Sequence, residues 1–294
     1  MTEKQSTTLD DLLSNLYCVL DDLSPEPPQR LGRPRETTDT EMVCMAVAQV
    51  LLDCPAERVW MRRMPWRLGH LFHHMPSRVH YNRRLRALRA RLLEALDILR
   101  QMHPETLDDM LLTDSTPVPA GRSLRAVRHS AMADIATYGY CASHSRYYWG
   151  FKLIILTSSD GFPVAFELVP ANVGEVDALR TILPRTDVRG RSILGDKGFT
   201  SKDLEDEIKA LGGSVFRPDK KNEKRRFGSL AAIRQWIESV FATLKGQLSL
   251  ERHGGRTYDG LTVRVLQRLL ALSAALWNNA RCGHPGRNLV NYGY

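Results

Sequence analysis

Three acidic residues have the types and settings from which a phosphoryl-transfer site could be built: Asp114, Asp196 and Glu238. Asp114 interrupts the apolar run MLLTDSTPVP, residues 110–119, and is the only charge inside it. Burying a carboxylate costs several kcal/mol unless hydrogen bonds or a cation compensate; Ser115 or a capping role is one source of compensation, a metal ion another. Asp196 follows Ile193 and Leu194 and lies between Gly195 and Gly198. It is either part of a tight Asp-Lys-Gly turn or a strand-end acid with room for a ligand to approach. Glu238 lies in IRQWIESVFATLK, residues 233–245, which at helical spacing puts Ile233, Ile237, Val240 and Leu244 on one apolar stripe. Arg234, Glu238, Phe241 and Lys245 share the adjoining face, so Glu238 is either a boundary residue paired with Arg234 or a site residue held toward a cation. Three carboxylates without a histidine or cysteine partner make a hard-oxygen site suited to Mg²⁺ or Mn²⁺, two of which can serve an in-line phosphoryl displacement.

The elements that must position these acids follow from the order of the chain. After Asp109 the pattern turns extended: a strand carrying Asp114, a basic irregular connection over 120–146 that either touches nucleic acid or folds over the sheet edge, and strands at 147–157 and 162–169 joined by Ser-Ser-Asp-Gly, a hairpin signal. A helix at 174–183, a strand at 191–199 carrying Asp196, a helix at 201–211, a strand at 214–217 and the basic loop RPDKKNEKRRF lead to the helix of Glu238. That order predicts an α/β ribonuclease H-like domain, a mixed sheet flanked by helices, in which acids distant in sequence converge. An amphipathic helix near 260–280 reads as structural.

The first hundred residues read differently. Helices are predicted over 7–23 and 38–52, the second opening on a Thr38/Glu41 capping box, and short helices joined at Pro65 and Pro76 fill 55–100. This region is dense in arginine beside Trp60, Trp66, His70, His73, His74 and Tyr81, the cations and planar groups that an all-helical DNA-binding domain needs. A helix with a solvated basic face has the same composition. Candidate DNA contacts here are Arg33 and Arg35, in a Gly-Arg-Pro-Arg connector similar to minor-groove arms, and Arg83 and Arg84; Lys220 and Lys221 in the later basic loop join them. The expected boundary divides 1–105, the helical domain, from 106–294, the catalytic domain with its C-terminal helix.

Composition sets the outer limits. The chain has 294 residues, 43% of them hydrophobic and 25% charged, with 41 Lys+Arg against 33 Asp+Glu, which favours a polyanionic partner. Its five cysteines lack CxxC spacing, which suggests neither a disulfide framework nor a zinc cluster. No secretory pattern opens the sequence and no apolar run is long enough for a membrane span, so a bacterial cytoplasmic, nucleoid-associated protein is expected.

The segments TDSTPVP, YYWGFKL, DGFPVAFELVPAN, LGDKGF and RQWIESVFATLK together resemble the DDE transposases of bacterial insertion sequences, most closely the insertion sequence 982 family. The likeness covers residues 110–280, and more loosely the N-terminal region through SRVHYNRRLRAL. The spacing of Arg234, Glu238 and Lys245 is similar to the Arg–Glu–Lys signature of related enzymes, although Ala231 stands where relatives often carry Tyr. The resemblance implies that Asp114, Asp196 and Glu238 are metal-binding catalytic acids, with Arg234 and Lys245 contacting DNA. It further implies a DNA transposition enzyme that binds the terminal inverted repeats of double-stranded transposon ends, cuts and rejoins strands into target DNA, and works as a homodimer or larger synaptic complex. Two rivals use the same residues differently: a ribonuclease H-fold nuclease or resolvase that only hydrolyses, and an inactive DNA-binding remnant.

Overall fold

A computed structural model describes residues 7–26, 35–103, 108–121, 123–141, 145–217, 231–284 and 286–293, with the backbone alone for 231–234. The chain divides into two compact units: a helical one of Met1–His103, Leu244–Gly255 and Asp259–Tyr294, and a sheet one of Pro104–Thr243 and Arg256–Tyr258. The last long helix, expected with the sheet, therefore belongs to the helical unit.

In the helical unit, α1 (Leu9–Leu23) starts where Thr8 and Asp11 cap each other, and it buries Leu9, Leu12, Leu16 and Leu20, one stripe at helical spacing. The Thr38/Glu41 box opens α2 (Asp39–Leu51), which is buried along nearly its whole length and so forms the centre of the unit. Next come α3 (Glu57–Leu68), α4 (Arg78–Ala87) and α5 (Arg89–Met102). Pro65 does not separate two helices as the sequence suggests. It lies inside α3, which continues to Leu68, and the Pro65 carbonyl accepts the Gly69 N–H at 3.1 Å.

The helix α10 (Tyr258–Arg281), expected to be structural, is buried at nearly every position from Gly260 to Asn279, Arg264 being half-buried, so its burial extends beyond one leucine-rich face. Several of its polar residues are hydrogen-bonded inside, although the buried Ser273 Oγ has no partner. Gln267 donates to the Ala46 carbonyl at 2.8 Å and to Gln49 at 3.0 Å, and Arg268 donates to the carbonyls of Ser249, Arg264 and Arg252. Asn278 and Asn279 bond to Tyr292 of the short closing helix α11 (Val290–Gly293).

The sheet unit is built on β1 (Met110–Gly121), which runs antiparallel to β3 (Arg146–Thr157) and parallel to β5 (Ser192–Leu194). Beyond β5 lies the parallel β6 (Ser214–Phe216). On the far side of β3, β4 (Pro163–Pro170) pairs with its C-terminal half and β2 (Thr137–Cys141) with its N-terminal half. The connection over 120–146 is thus not irregular: it holds a short helix, α6 (Leu124–Arg128), and the edge strand β2. Two further helices, α7 (Glu175–Ile182) and α8 (Lys202–Ala210), cover one face of the sheet. They bury Leu179, Ile182, Leu204 and Ile208 against Leu111, Ile154, Leu156 and Ile193. Near its end, α9 (Ala231–Ala242) packs against β1.

Candidate active site

Strand register decides where the acids fall. Leu112 pairs with Leu194 across the parallel β1–β5 contact, and Asp114 and Asp196 each follow their leucine by two residues. Asp114 thus lies on β1 two residues past the last position paired with β5, and Asp196 lies just beyond β5, which ends at Leu194. Both are half-buried. Alternation puts Asp114 on the face of Leu112, Thr116 and Val118, away from the α7–α8 core.

Each aspartate is oriented by its own backbone. The Ser115 N–H donates to Asp114 Oδ1 at 2.7 Å. The Gly198 N–H donates to Asp196 Oδ1 at 2.6 Å, which makes Asp196 the cap of a short 3-10 turn, Lys197–Phe199. The tight-turn and site readings of Asp196 are therefore compatible. A residue larger than glycine does not fit at 198, where a Cβ would lie 2.9 Å from Asp196 Oδ1 and 3.0 Å from Glu175 Cγ.

Glu238 lies on α9 at the rim of the buried stripe formed by Ile237, Val240 and Phe241, and is itself exposed. Arg234 belongs to the same helix, but its side chain lies outside the described residues. Lys245 lies past α9, on the π-helical turn Thr243–Gln247, in the helical unit. Among the described residues, no three His, Cys, Asp or Glu side chains form a metal-holding group. The fold thus puts Asp114 on β1, Asp196 just past the adjacent β5 and the helix of Glu238 against β1, without closing the three acids into one ligand cluster among the described residues.

Two residues at this end of the sheet carried no weight in the sequence reading. Glu175, in the first turn of α7, bonds through Oε1 to Lys152 Nζ at 2.8 Å, while its buried Oε2 has no partner. Lys152 also donates to the Val173 carbonyl at 2.9 Å. Lys152 was detectable as the one charge within the apolar FKLIIL run of β3; Glu175 resembles any acidic first-turn residue of a helix. The pair lies behind the Asp196 turn, because Glu175 Cγ borders Gly198.

The proposed DNA contacts are scattered. Arg33, Lys220 and Lys221 lie outside the described residues. Arg35 pairs with Asp39 at 2.6 Å, and the half-buried Arg84 bonds to Asp39 and to the Thr37 carbonyl, tying α4 to the start of α2. Arg83, its neighbour, is exposed and forms no ion pair among the described residues.

A mixed sheet with one acid on β1, a second just past the end of the adjacent parallel strand β5, and a third on a helix packed against β1, is consistent with the ribonuclease H-like class of DNA-processing enzymes. Comparison with known families narrows this: residues 105–274 match the transposase DDE domain, and the chain belongs to that family. Neither a curated protein nor a solved structure matches the chain. DDE transposases generally use divalent metal ions, and the donor chemistry here suits them: carboxylate oxygens at the strand ends, with the unpartnered Glu175 Oε2 close behind. Among the described residues no helix is long and apolar enough to cross a membrane.

Proposed function

We propose that the chain is the transposase of a bacterial insertion sequence, most like the insertion sequence 982 group, binding its terminal inverted repeats and catalysing DNA strand cleavage and strand transfer. The observation that carries this reading is the placement of Asp114 on β1 and of Asp196 just past the end of the adjacent parallel strand β5, in a chain of the transposase DDE domain family. Together with Glu238 they are the catalytic acids and would hold a pair of Mg²⁺ or Mn²⁺ ions, with α9 carrying the third ligand toward β1. Bound there, two divalent ions supply Lewis-acid stabilisation of a phosphorane-like transition state and a deprotonated attacking oxygen.

The rest belongs to the chain itself. The Ser115 and Gly198 N–H groups fix the carboxylates of Asp114 and Asp196 so that no reorientation is required when substrate arrives. Water directed at a phosphodiester cuts a strand; a DNA 3′-hydroxyl in the same place joins one strand to another. Arg234 and Lys245 contact DNA phosphates, while Arg33, Arg35, Arg83, Arg84, Lys220 and Lys221 bind the backbone of the transposon end. For Arg35 and Arg84 that requires exchanging Asp39 for a phosphate. The helical unit is the DNA-binding domain, the assembly on DNA is a homodimer or larger synaptic complex, and the protein works in the bacterial cytoplasm at the nucleoid.

The test is strand cleavage and joining of a labelled duplex carrying the element's own ends, with Mg²⁺ or Mn²⁺, comparing the native protein with Glu238→Gln. Metal-dependent joining lost in the variant is the expected result. Cleavage without joining would make the protein a nuclease, and binding with neither would make it an inactive remnant.

A further inference from the structure

The edge strand β2 carries a feature that strand transfer chemistry does not use. Its register sets Tyr138 opposite Trp149 and Tyr140 opposite Tyr147. Directly opposed residues of an antiparallel pair share a face, so these four aromatic side chains form one row. Trp149 closes it at one end, buried to 4% exposure, whereas Tyr138, Tyr140 and Tyr147 are 53%, 55% and 76% exposed. The rings of Tyr140 and Tyr147 are 5.0 Å apart between centroids. The other face of β2 is closed: Cys141, Tyr148 and Ala171 cluster there, and Gly139 has Ala171 against it.

The surroundings of the row are basic. A Cβ at Gly121 would meet both the Trp149 ring and Val127, so α6 borders the aromatic row. Arg125 and Arg128 of α6 and Arg146 at the start of β3 are all exposed and form no ion pair among the described residues. The described part of residues 123–149 contains one carboxylate, Asp134. Adjacent open rings with unpaired guanidinium groups beside them match a ligand that has both flat π-faces and repeated negative charge. Unpaired nucleobases on a single DNA strand have both; an intact duplex offers the phosphates but hides its base faces.

We propose that Tyr138, Tyr140 and Tyr147 form a stacking platform for unpaired bases of a single DNA strand, with Arg125, Arg128 and Arg146 neutralising its phosphates. This rests on the transposase reading, in which cutting at an element end frees such a strand. Alternation along β3 places the row on the same sheet face as Ile155, the residue opposite Asp114. Eight residues of strand separate Ile155 from Tyr147, roughly 26 Å at the usual rise. A freed strand would cover that distance in roughly eight nucleotides.

The experiment measures binding of the full chain to two fluorescein-labelled probes at one salt concentration: an oligothymidine and a blunt duplex of equal length. The variants are the double changes Tyr140→Ala with Tyr147→Ala and Tyr140→Phe with Tyr147→Phe. The alanine pair should bind oligothymidine at least about tenfold more weakly, since a base–aromatic stack is commonly worth that or more, and the phenylalanine pair should bind nearly as the native protein does. Duplex affinity should move by less than about twofold in both, because the arginines remain and no base face is exposed. Unchanged oligothymidine binding by the alanine pair would overturn the proposal. So would equal losses in the alanine and phenylalanine pairs, or a change of oligomeric state in the alanine pair with oligothymidine affinity intact, which would make the row a contact between copies. Failure of the transposase reading shows separately, as absence of metal-dependent joining by the native protein.

Discussion

The two units differ in how densely their polar side chains are tied together. In the helical unit a few side chains are bonded several times over, although Trp60 Nε1, Arg91 Nε and Ser273 Oγ have no partner: Gln49 Oε1 accepts from Tyr81, Gln267 and Arg264, Arg91 reaches Ser24, Glu94 and Thr40, and Arg268 bonds to three backbone carbonyls. At the acid end of the sheet unit, Asp114 and Asp196 are oriented by neighbouring backbone N–H groups, Glu175 Oε2 has no partner, and Glu238 reaches the surface. A densely bonded network specifies one packing and resists change; carboxylates oriented by neighbouring backbone N–H groups can still take a ligand. Substitutions should therefore divide by unit, those near the acids acting on the reaction and those in the helical network acting on stability.

The largest expected effect belongs to the acids. Asp114→Asn or Asp196→Asn should lower strand joining by at least ~10³-fold while leaving thermal unfolding nearly unchanged, since the amide preserves shape and removes charge. A large fall in melting temperature without loss of joining would erase the contrast between the units. Gly198→Ala comes next. Its Cβ would lie within 3.0 Å of both the Asp196 carboxylate and Glu175, so the carboxylate must turn away. A displacement of about 1 Å can cost on the order of 10²-fold in rate, which single-turnover joining would reveal. Joining by Gly198→Ala at the native rate would mean that Asp196 need not hold the orientation seen here.

How much of this the sequence revealed depends on how local each signal is. The Thr38/Glu41 box, the Ser-Ser-Asp-Gly turn and the alternation around Asp114 are short-range patterns, and each has its structural counterpart. The edge strand β2 was not legible, because TYGYC is five residues long with a glycine at its centre, and its partner β3 lies beyond an intervening turn. Pro65 misled for a physical reason: within a helix, proline forfeits one hydrogen bond, and the buried Trp60, Met64 and Leu68 of α3 outweigh that loss through packing. For the site, residue types singled out the acids, but the pairing of β1, which carries Asp114, with β5, which ends two residues before Asp196, joins strands some eighty residues apart, which no local pattern encodes. Glu175 and Lys152 went unnoticed because a salt bridge between a strand and a later helix is a tertiary event.

Within the helical unit, Arg268 is the sharpest probe. Burial first, and Arg264 second, pull its guanidinium down to about 9, still on the charged side of neutrality, and three carbonyls receive its protons. Arg268→Met keeps most of the volume but orphans those carbonyls, so a loss of roughly 3 kcal/mol is expected, read as a lower urea midpoint. Joining measured well below that midpoint should remain near the native rate.

The smallest effect is a change of slope. Tyr81 is wholly buried, and burial raises its phenol well above the ordinary value of 10. Its hydroxyl donates to Gln49 at 2.8 Å. Because the folded value is the higher one, the unfolded chain loses this proton first as pH rises past 10, and the folded state binds more protons. Stability from this group is therefore complete below pH 10 and is lost as pH climbs toward the folded value. Arg268 contributes a slope of opposite sign in the alkaline range, since its folded value is the lower one, but that contribution is common to native protein and variant. Tyr81→Phe should cost about 1 kcal/mol at neutral pH through the lost hydrogen bond. Above pH 10 the gap between the two proteins should narrow, because phenylalanine has no proton to lose. Parallel stability curves across that range would show that Tyr81 is not held neutral by the helical core, and the contrast between a densely bonded unit and an open one would lose one of its supports.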